Sequence, residues 1–412
     1  MLLFATDYMK IKEPSLPPED SQYIAVHLSD IVQKQLLRCE GDSVGLYGQL
    51  ARQINTYYLL QFGRQSEHLK SLYRHFNPSA RVGRPVIAPQ HRAELKAQFF
   101  DQISLLLEAA NYRELSIEDI KKAMEEQALF DLSVSVNLDD YDRLMVFRRG
   151  AQPRTMKLKR WLGRFGEREV DFVNYDRVAL VFSENTAGSD VHLKLFQNVP
   201  RHDIEILLPE PQVRMRLKDK LIIGVPAVIG GAAVLLTKLG PTLLLIGSLL
   251  AFWLGMSEEP VELDQGVLIA LGVGLFALGG HLWRQFGALK NRRLNFLKVL
   301  TENLYFKSLD NNSGAIQQLL DTASDEEVKE VFLVYSFLST DTSISIAELD
   351  TRIEQWLSET FDCDVNFDVE GAARKAVSLG LASRQDMNYT AVMAQAALEN
   401  LNANLHGLVY PE

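Results

Sequence analysis

The stretch that decides the predicted fold is residues 214–293, RMRLKDKLIIGVPAVIGGAAVLLTKLGPTLLLIGSLLAFWLGMSEEPVELDQGVLIALGVGLFALGGHLWRQFGALKNRR. It begins and ends with basic residues, and a short acidic loop separates two long apolar runs. About 20 apolar residues suffice for one helical crossing of a bilayer. A helix in the core of a globular protein rarely stays apolar on every face for so long. The stretch therefore predicts an integral membrane protein with a transmembrane helical hairpin.

The number of crossings is harder to predict than their presence. The first run, residues 221–256, is interrupted by Lys238 and by the Gly240–Pro241 pair, and proline breaks or kinks a helix. One tilted or broken crossing and a tight hairpin of two short helices both stay open. Short loops rich in Lys and Arg tend to remain cytoplasmic. Because both outer flanks are basic, the total should be even, and we favour two crossings, within 221–256 and 266–286.

Basic and aromatic residues near the ends of the two runs predict where the membrane interface lies, since Trp and basic side chains concentrate at headgroup level. These residues are Arg216, Lys218, Lys220, Trp253, Trp283, Arg284, Arg292 and Arg293. The partner that they imply is the lipid bilayer. The first residues show neither a signal peptide nor an Arg-rich transit pattern, so both termini are expected in the cytoplasm.

Charge is distributed unevenly along the 412 residues, whose net charge is −10. From residue 310 to residue 412 there are 18 Asp or Glu against 5 Lys or Arg. Nucleic-acid binding needs Lys and Arg for phosphate contacts, so the acidic C-terminal part argues against a nucleic-acid partner. The two cysteines, Cys39 and Cys363, lack metal-type spacing and predict no disulfide framework.

The N-terminal part predicts helices. Residues 1–22 read as an extended lead-in, and residues 23–130 as a helical region. Leu46, Leu50, Ile54 and Tyr58 recur every four residues and should share one buried face. A second helix at about 90–110 should bury Leu95, Phe99, Ile103 and Leu106, and Ser116 should cap a third.

Residues 131–212 change to a period of two, which predicts a small antiparallel meander. Six short strands are expected, at 132–137, 142–149, 154–161, 169–173, 176–184 and 190–198. The transmembrane segment would then occupy residues 213–290.

Residues 291–412 predict an acidic, mostly helical C-terminal domain. Ser324 and Ser345 each precede a glutamate by three residues, which matches the capping box at the start of a helix. Helices are expected at about 325–339, 346–360, 367–379 and 391–405, with a short hairpin at 381–390. The order of helices and hairpin resembles a winged-helix arrangement. The overall prediction is an α+β membrane protein.

Several short motifs occur in the order found in a known family. They are Phe147–Arg148–Arg149–Gly150, Leu193–Lys194–Leu195–Phe196, Asn198, Pro200, Asp203–Ile204–Glu205, Leu207–Leu208–Pro209, Asp219–Lys220, Gly224–Val225–Pro226, Gly279–Gly280, Asn291–Arg292–Arg293, Leu304–Tyr305–Phe306 and Leu309–Asp310–Asn311–Asn312. Over roughly residues 95–385 the chain resembles the domain-of-unknown-function family 3754, the family of transmembrane protein 143.

The resemblance implies little about activity. Members are membrane proteins of bacteria, plastids and mitochondria without an established activity, so no catalytic residue carries over. Since organelle members would carry a transit peptide, the resemblance favours a multi-pass protein of a bacterial inner membrane.

No familiar catalytic, metal-binding or phosphate-binding motif occurs in the sequence, so we expect no metal and no cofactor. The candidate site is a polar cluster at the junction of sheet and membrane, comprising Asn198, Arg201, His202, Asp203 and Glu205. It would face a headgroup or a partner, or it would simply cap the short helix that follows and pair with the basic flank.

Three classes of function stay open. The first is a membrane-tethered scaffold or regulatory protein with cytoplasmic arms, and we favour it over an enzyme because no catalytic signature is present. The second is a subunit of an oligomeric transporter or channel, and the third is an enzyme at the membrane surface. A protein partner or a homo-oligomer is expected.

Overall fold

The computed structural model describes residues 22–38, 43–80, 87–126, 133–135, 138–159, 167–186, 188–208, 212–214, 247–248, 250–255, 305–339, 343–386 and 388–410, and isolated positions between 265 and 287. The chain divides into two compact units. The first, called the main unit below, draws on residues 1–123, 137–204 and 307–412, and the second draws on 124–136 and 205–306.

The N-terminal helices follow the predicted pattern of buried faces. They are α1 (Leu28–Leu36), α2 (Ser43–Tyr73), α3 (Pro89–Ala109) and α4 (Ile117–Glu126). Leu50, Ile54 and Tyr58 are buried along α2. Phe99, Ile103 and Leu106 are buried along α3. The Ser116 hydroxyl accepts a hydrogen bond of 3.1 Å from the backbone N–H of Asp119, which confirms the predicted cap of α4.

The meander is a five-stranded antiparallel sheet with the order β1-β3-β4-β5-β7. Its strands are β1 (Arg113–Glu114), β3 (Tyr141–Lys159), β4 (Glu167–Glu184), β5 (Val191–Pro200) and β7 (Ser308–Asn311). The short helix α5 (Ile204–Leu207) follows β5. In the second unit, β2 (Ser133–Ser135) pairs with β6 (Gln212–Arg214). The predicted α+β class with a meander is therefore confirmed.

The prediction of six short strands is wrong at two places. At each of them, two predicted strands are parts of one continuous strand. The predicted strands 142–149 and 154–161 are both parts of β3, and 169–173 and 176–184 are both parts of β4. Gly150 adopts φ +66°, and an added Cβ would lie 2.3 Å from Asp176 Oδ2. Only glycine combines this backbone angle with such a close neighbour, so Gly150 lets β3 continue where the sequence indicated a turn.

The C-terminal part consists of α6 (Asn312–Leu338), β8 (Ile344–Ser345), α7 (Ile346–Phe361), α8 (Val369–Ser378), β9 (Ala382–Gln385), β10 (Asn388–Ala391) and α9 (Ala394–Val409). Its three strands form an antiparallel sheet with the order β8-β10-β9. After α6, a strand, two helices and a hairpin follow in the order that we described as winged-helix-like.

The two predicted capping boxes have different outcomes. Ser345 does cap α7, since its hydroxyl accepts a hydrogen bond from the backbone N–H of Glu348. Ser324, by contrast, lies in the interior of α6, which begins twelve residues earlier at Asn312. The predicted helix start at 325 is therefore wrong.

The hydrophobic core of the main unit lies between helices α2, α3, α6 and one face of the sheet. It includes Phe99 of α3, Phe147 of β3, Leu195 of β5 and Phe332 of α6. Residues from three of the predicted domains, 23–130, 131–212 and 291–412, thus share one core. Helix α6 is central to it, because most of its residues from Ala315 onward are buried.

The transmembrane prediction must be corrected. Within the part of the chain that the structure describes, no helix has both the length and the apolar character needed to cross a bilayer. This finding contradicts the predicted transmembrane hairpin, the integral-membrane functions built on it, and the multi-pass inner-membrane location. The prediction rested on the length of the apolar runs, whereas a crossing requires one continuous helix.

One end of the first apolar run lies within the described residues. The helical residues that end at Trp253 are followed by a turn, and Gly255 adopts φ +70°, as is common after the end of a helix. Trp253 and Trp283 are 86% and 80% exposed. Most of 221–256 and 266–286 lies outside the described residues, as do Arg216, Lys218, Lys220, Arg292 and Arg293.

Candidate functional site

The polar cluster predicted from the sequence lies at the end of β5 and in the residues that follow it. Asn198 is exposed and adopts φ +51°. Lys307 donates a hydrogen bond of 2.7 Å to Asp203, and both side chains are about a quarter exposed. Arg201 is half-buried, and the side chains of His202 and Glu205 lie outside the described residues. A functional role for this cluster stays a prediction.

A different cluster of charged residues lies inside the main unit, on a single turn of α6. Glu326, Glu327, Lys329 and Glu330 are only 1%, 7%, 2% and 4% exposed. Charged side chains are almost never so deeply buried unless they are paired. Their positions follow from the helix period, because α6 is covered on nearly every side by α2, α3, α8 and the sheet.

The first buried pair joins Glu326 to Lys329. Their side chains are 2.8 Å apart, and Lys329 also pairs with Asp325. The backbone of Ile24 supplies the remaining contacts, because its N–H donates to Glu326 over 3.1 Å and its carbonyl accepts from Lys329 over 3.2 Å. All three ammonium donors of Lys329 are thereby used.

The second buried group is centred on Lys375 of α8. Its ammonium donates to Glu327 over 2.7 Å and to Glu330 over 2.9 Å. The other oxygen of Glu330 accepts from the side-chain amide of Asn111 over 3.0 Å, and the same amide reaches Glu326 over 3.0 Å. Asn111 adopts φ +58° directly after α3, so its turn conformation directs this amide between the two glutamates.

Burial changes the acidity of these groups. Burial raises the pKa of Glu326, Glu327 and Glu330, and the neighbouring ammonium groups offset this rise only in part. Burial lowers the pKa of Lys375, but the carboxylates of Glu330 and Glu327 outweigh it, so the net shift is upward. Lys375 is therefore an ammonium ion at neutral pH and is unsuited to act as a nucleophilic amine.

Arg149 of β3 is a third buried cation, 8% exposed. Its guanidinium carbon lies 3.9 Å from the ring centre of Tyr23 and 5.1 Å from that of Tyr112. Its Nε and Nη1 atoms are buried without a hydrogen-bond partner among the described residues. This stacking joins residues that are far apart in the chain, so no local sequence pattern predicts it.

A cleft of about 370 Å³ opens beside the Lys375 group. Four carboxylates line it, and these are Glu108, Glu114, Glu330 and Asp368. Two cations, Arg113 and Lys375, and two buried aromatic rings, Tyr112 and Phe147, complete most of its wall. Its volume falls in the range typical of small-molecule sites, although its wall is more polar than most.

The cleft wall carries charged and aromatic groups that can bind a ligand. Among the described residues, no group of three or more His, Cys, Asp or Glu side chains has the geometry to hold a metal ion. Lys375 uses two of its three donors on glutamates. The arrangement can hold an ammonium group among the carboxylates and aromatic rings.

None of the residues in this site was among the predicted site residues. Glu327 was instead predicted to form a capping box with Ser324 at the start of a helix. One signal was available, because the charged turn is followed directly by the strongly apolar run 331–338, VFLVYSFL. Charges beside such a run indicate a helix buried on all sides.

The family predicted from sequence motifs is confirmed by comparison. The family model described as "Protein of unknown function (DUF3754)" matches residues 141–314, which include β3, β4, β5 and β7. Of the residues that line the cleft, only Phe147 falls within this span. No solved structure matches the chain. Over residues 141–314, the chain is therefore similar to the DUF3754 family of proteins of unknown function.

Proposed function

We propose that the main unit is a binding protein for a small amine-bearing molecule, which it holds in the cleft. The observation that carries the proposal is the composition of the cleft wall. Four carboxylates and two aromatic rings face two cations, so the wall has an excess of negative charge.

The carboxylates are arranged to attract a cation and then to hold it. Glu108, Glu114 and Asp368 are the solvent-exposed carboxylates of the cleft wall. A cleft lined by one sign of charge raises the local concentration of the oppositely charged ligand. Deeper in the cleft, Tyr112 and Phe147 are buried, and aromatic faces stabilise ammonium groups.

The cations in the wall limit which amines fit. Lys375 retains one donor after its bonds to Glu327 and Glu330. A ligand with a hydroxyl or carbonyl acceptor beside its ammonium group can use that donor. A ligand with a second positive charge near Lys375 is repelled, so the charges of a diamine must lie on the acidic side.

The test is a calorimetric titration of the full chain with three molecules that share a four-carbon skeleton. They are 1,4-diaminobutane, 4-aminobutanoate and butanedioate, which carry two, one and no ammonium groups. We expect the diamine to bind most tightly and butanedioate least tightly. Equal affinity for all three, a preference for butanedioate, or no detectable binding of either amine would contradict the proposal.

A matched pair of variants assigns the binding to the cleft. Glu114→Gln removes one rim charge, and the loss of about 1 kcal/mol expected for an exposed ion pair corresponds to about fivefold weaker binding of the diamine. Glu94→Gln makes the same change on α3, fourteen residues before Glu108 and thus about 21 Å along the helix. Equal weakening by both variants would place the amine outside the cleft.

A further inference from the structure

Residues 22–25, called the strap below, lie outside any helix or strand and cross the buried charges of α6. The groups that contact the strap are called the slot below, and they are Asn111, Arg149, Glu326, Lys329 and Cys363. They come from the end of α3, from β3, from α6 and from the residues after α7.

The polar contacts of the slot go to the backbone of the strap. Glu326 accepts from the N–H of Ile24 and Lys329 donates to the carbonyl of Ile24. The Asn111 amide donates to the carbonyl of Gln22 over 3.3 Å. The N–H of Ala25 donates to the Cys363 thiol. Because every peptide offers these backbone groups, the contacts do not depend on the strap's own sequence.

Two side chains of the strap supply the selectivity. Ile24 is completely buried. The Tyr23 ring lies 3.9 Å from the Arg149 guanidinium and 5.8 Å from the Lys329 ammonium. An aliphatic pocket and a cationic stacking surface, next to each other, fit an aromatic residue followed by an aliphatic one.

Burying the charged groups of the slot has a free-energy cost that apolar side chains in the same place would not have. A lone buried carboxylate and a lone buried ammonium cost several kcal/mol each unless their remaining hydrogen bonds are satisfied. In the slot, strap backbone satisfies both Glu326 and Lys329. Backbone hydrogen bonds for affinity, combined with pockets for alternate side chains, are a general mode of peptide recognition.

We propose that the slot is a peptide-recognition site, which the chain fills with its own residues 22–25 and which also accepts a partner's peptide carrying an aromatic–aliphatic pair. The partner's peptide replaces the strap. Since Gln22 lines the cleft, the exchange also opens one wall of the cleft. The slot does not depend on the amine specificity proposed above.

Cys363 provides a reporter for the exchange, because it is 8% exposed and its thiol accepts a hydrogen bond from the backbone of Ala25. In a Cys39→Ser background it is the sole thiol of the chain. The release variant adds Tyr23→Ala and Ile24→Ala. We expect its Cys363 to react with a thiol reagent at least tenfold faster than in the Cys39→Ser parent. An unchanged rate would overturn the proposal.

A synthetic peptide with the sequence of residues 20–27, DSQYIAVH, then tests recognition. Added to the release variant, it should return the thiol rate to within twofold of the parent, whereas the control peptide DSQAAAVH should not. Failure of the first peptide to protect Cys363 at saturating concentration, or equal protection by both peptides, would overturn the proposal.

The same exchange is measured on the unaltered chain, so the test does not depend on the folding of the release variant. The peptide DSQYIAVH in excess should displace the strap and increase deuterium uptake at residues 22–25, while the control peptide leaves uptake unchanged. Uptake that stays unchanged with the first peptide would contradict exchange. These outcomes do not involve an amine, so they are distinguishable from failure of the proposed function.

Discussion

The main unit contains two clusters of charged residues that differ in how far water reaches them. On α6, the Glu326–Lys329 pair is 1% and 3% exposed at its side chains. At the end of β5, the Asp203–Lys307 pair has a similar length of 2.7 Å but is 24% and 22% exposed. The distance between the charges therefore does not predict which pair contributes more to the free energy of unfolding. We expect solvent exposure to predict it.

Exposure matters because it decides whether water can solvate the charge that remains when its partner is removed. In a solvated pair, water replaces the missing partner, and such pairs contribute at most about 1 kcal/mol. In a buried pair, the remaining charge is left without compensation, which costs about 3–5 kcal/mol. Substitutions at the buried pair should therefore destabilise the protein most, and substitutions at the exposed pair least.

The largest effect is expected for Lys329→Met. It leaves Glu326 buried without its cation and removes the donor to the carbonyl of Ile24. We expect a loss of about 3–5 kcal/mol in the free energy of unfolding, measured by urea denaturation. A loss below about 1 kcal/mol would mean that water reaches Glu326 and that the two clusters do not differ.

Lys375→Met should have an intermediate effect. Its side chain is 34% exposed, although it joins the nearly buried Glu327 and Glu330. Water entering through the cleft can therefore solvate part of what is lost. We expect a loss of about 1–3 kcal/mol by urea denaturation. A loss as large as that of Lys329→Met would show that the cleft does not admit water.

Asp350→Asn should stabilise the protein in a pH-dependent way. Burial, with help from Glu354 and Asp368, raises the pKa of Asp350 to about 6. A carboxyl whose pKa is higher in the folded state stabilises folding at low pH, and this contribution is lost as the pH rises from about 4 to 6. The side chain is partly exposed, so the gain above pH 6 should be about 1 kcal/mol or less.

Thermal unfolding from pH 4 to pH 8 checks this prediction. The variant and the parent should differ least at pH 4, and the variant should be the more stable from pH 6 upward. Glu399→Gln on α9, an exposed site, controls for the general effect of removing one negative charge. An equal gain from both variants would assign the effect to net charge rather than to Asp350.

The smallest effect is expected for Asp203→Asn, which removes one charge of the exposed pair Asp203–Lys307. It should cost less than about 1 kcal/mol and lose its influence at high salt, because salt screens exposed pairs. Urea denaturation at low and high salt checks both points. A loss of several kcal/mol that persists at high salt would remove the distinction between the two clusters.

What could be predicted from the sequence is what depends on neighbouring residues. The buried faces of α2 and α3 follow a spacing of four residues, and the cap at Ser345 depends on a residue three positions away. The same motif failed at Ser324, because a local pattern does not show that a helix has already begun at Asn312. The turn predicted at Gly150 was wrong for a similar reason, since the close contact of Gly150 with Asp176 depends on strand pairing.

The candidate site was beyond the sequence analysis for a related reason. Its parts are far apart in the chain, and the contact between Ile24 and Glu326 spans 302 residues. Composition predicted an acidic C-terminal domain but not the burial of three of its glutamates, Glu326, Glu327 and Glu330. Apolar runs likewise predicted membrane crossings, although hydropathy measures composition and not the continuity of a helix.

The role of burial is tested most directly by two double-mutant cycles measured in urea under the same conditions. One cycle combines Glu326→Gln with Lys329→Met, and the other combines Asp203→Asn with Lys307→Met. We predict a coupling energy of about 2–3 kcal/mol for the pair on α6 and less than about 1 kcal/mol for the exposed pair. Equal coupling energies in the two cycles would contradict the account.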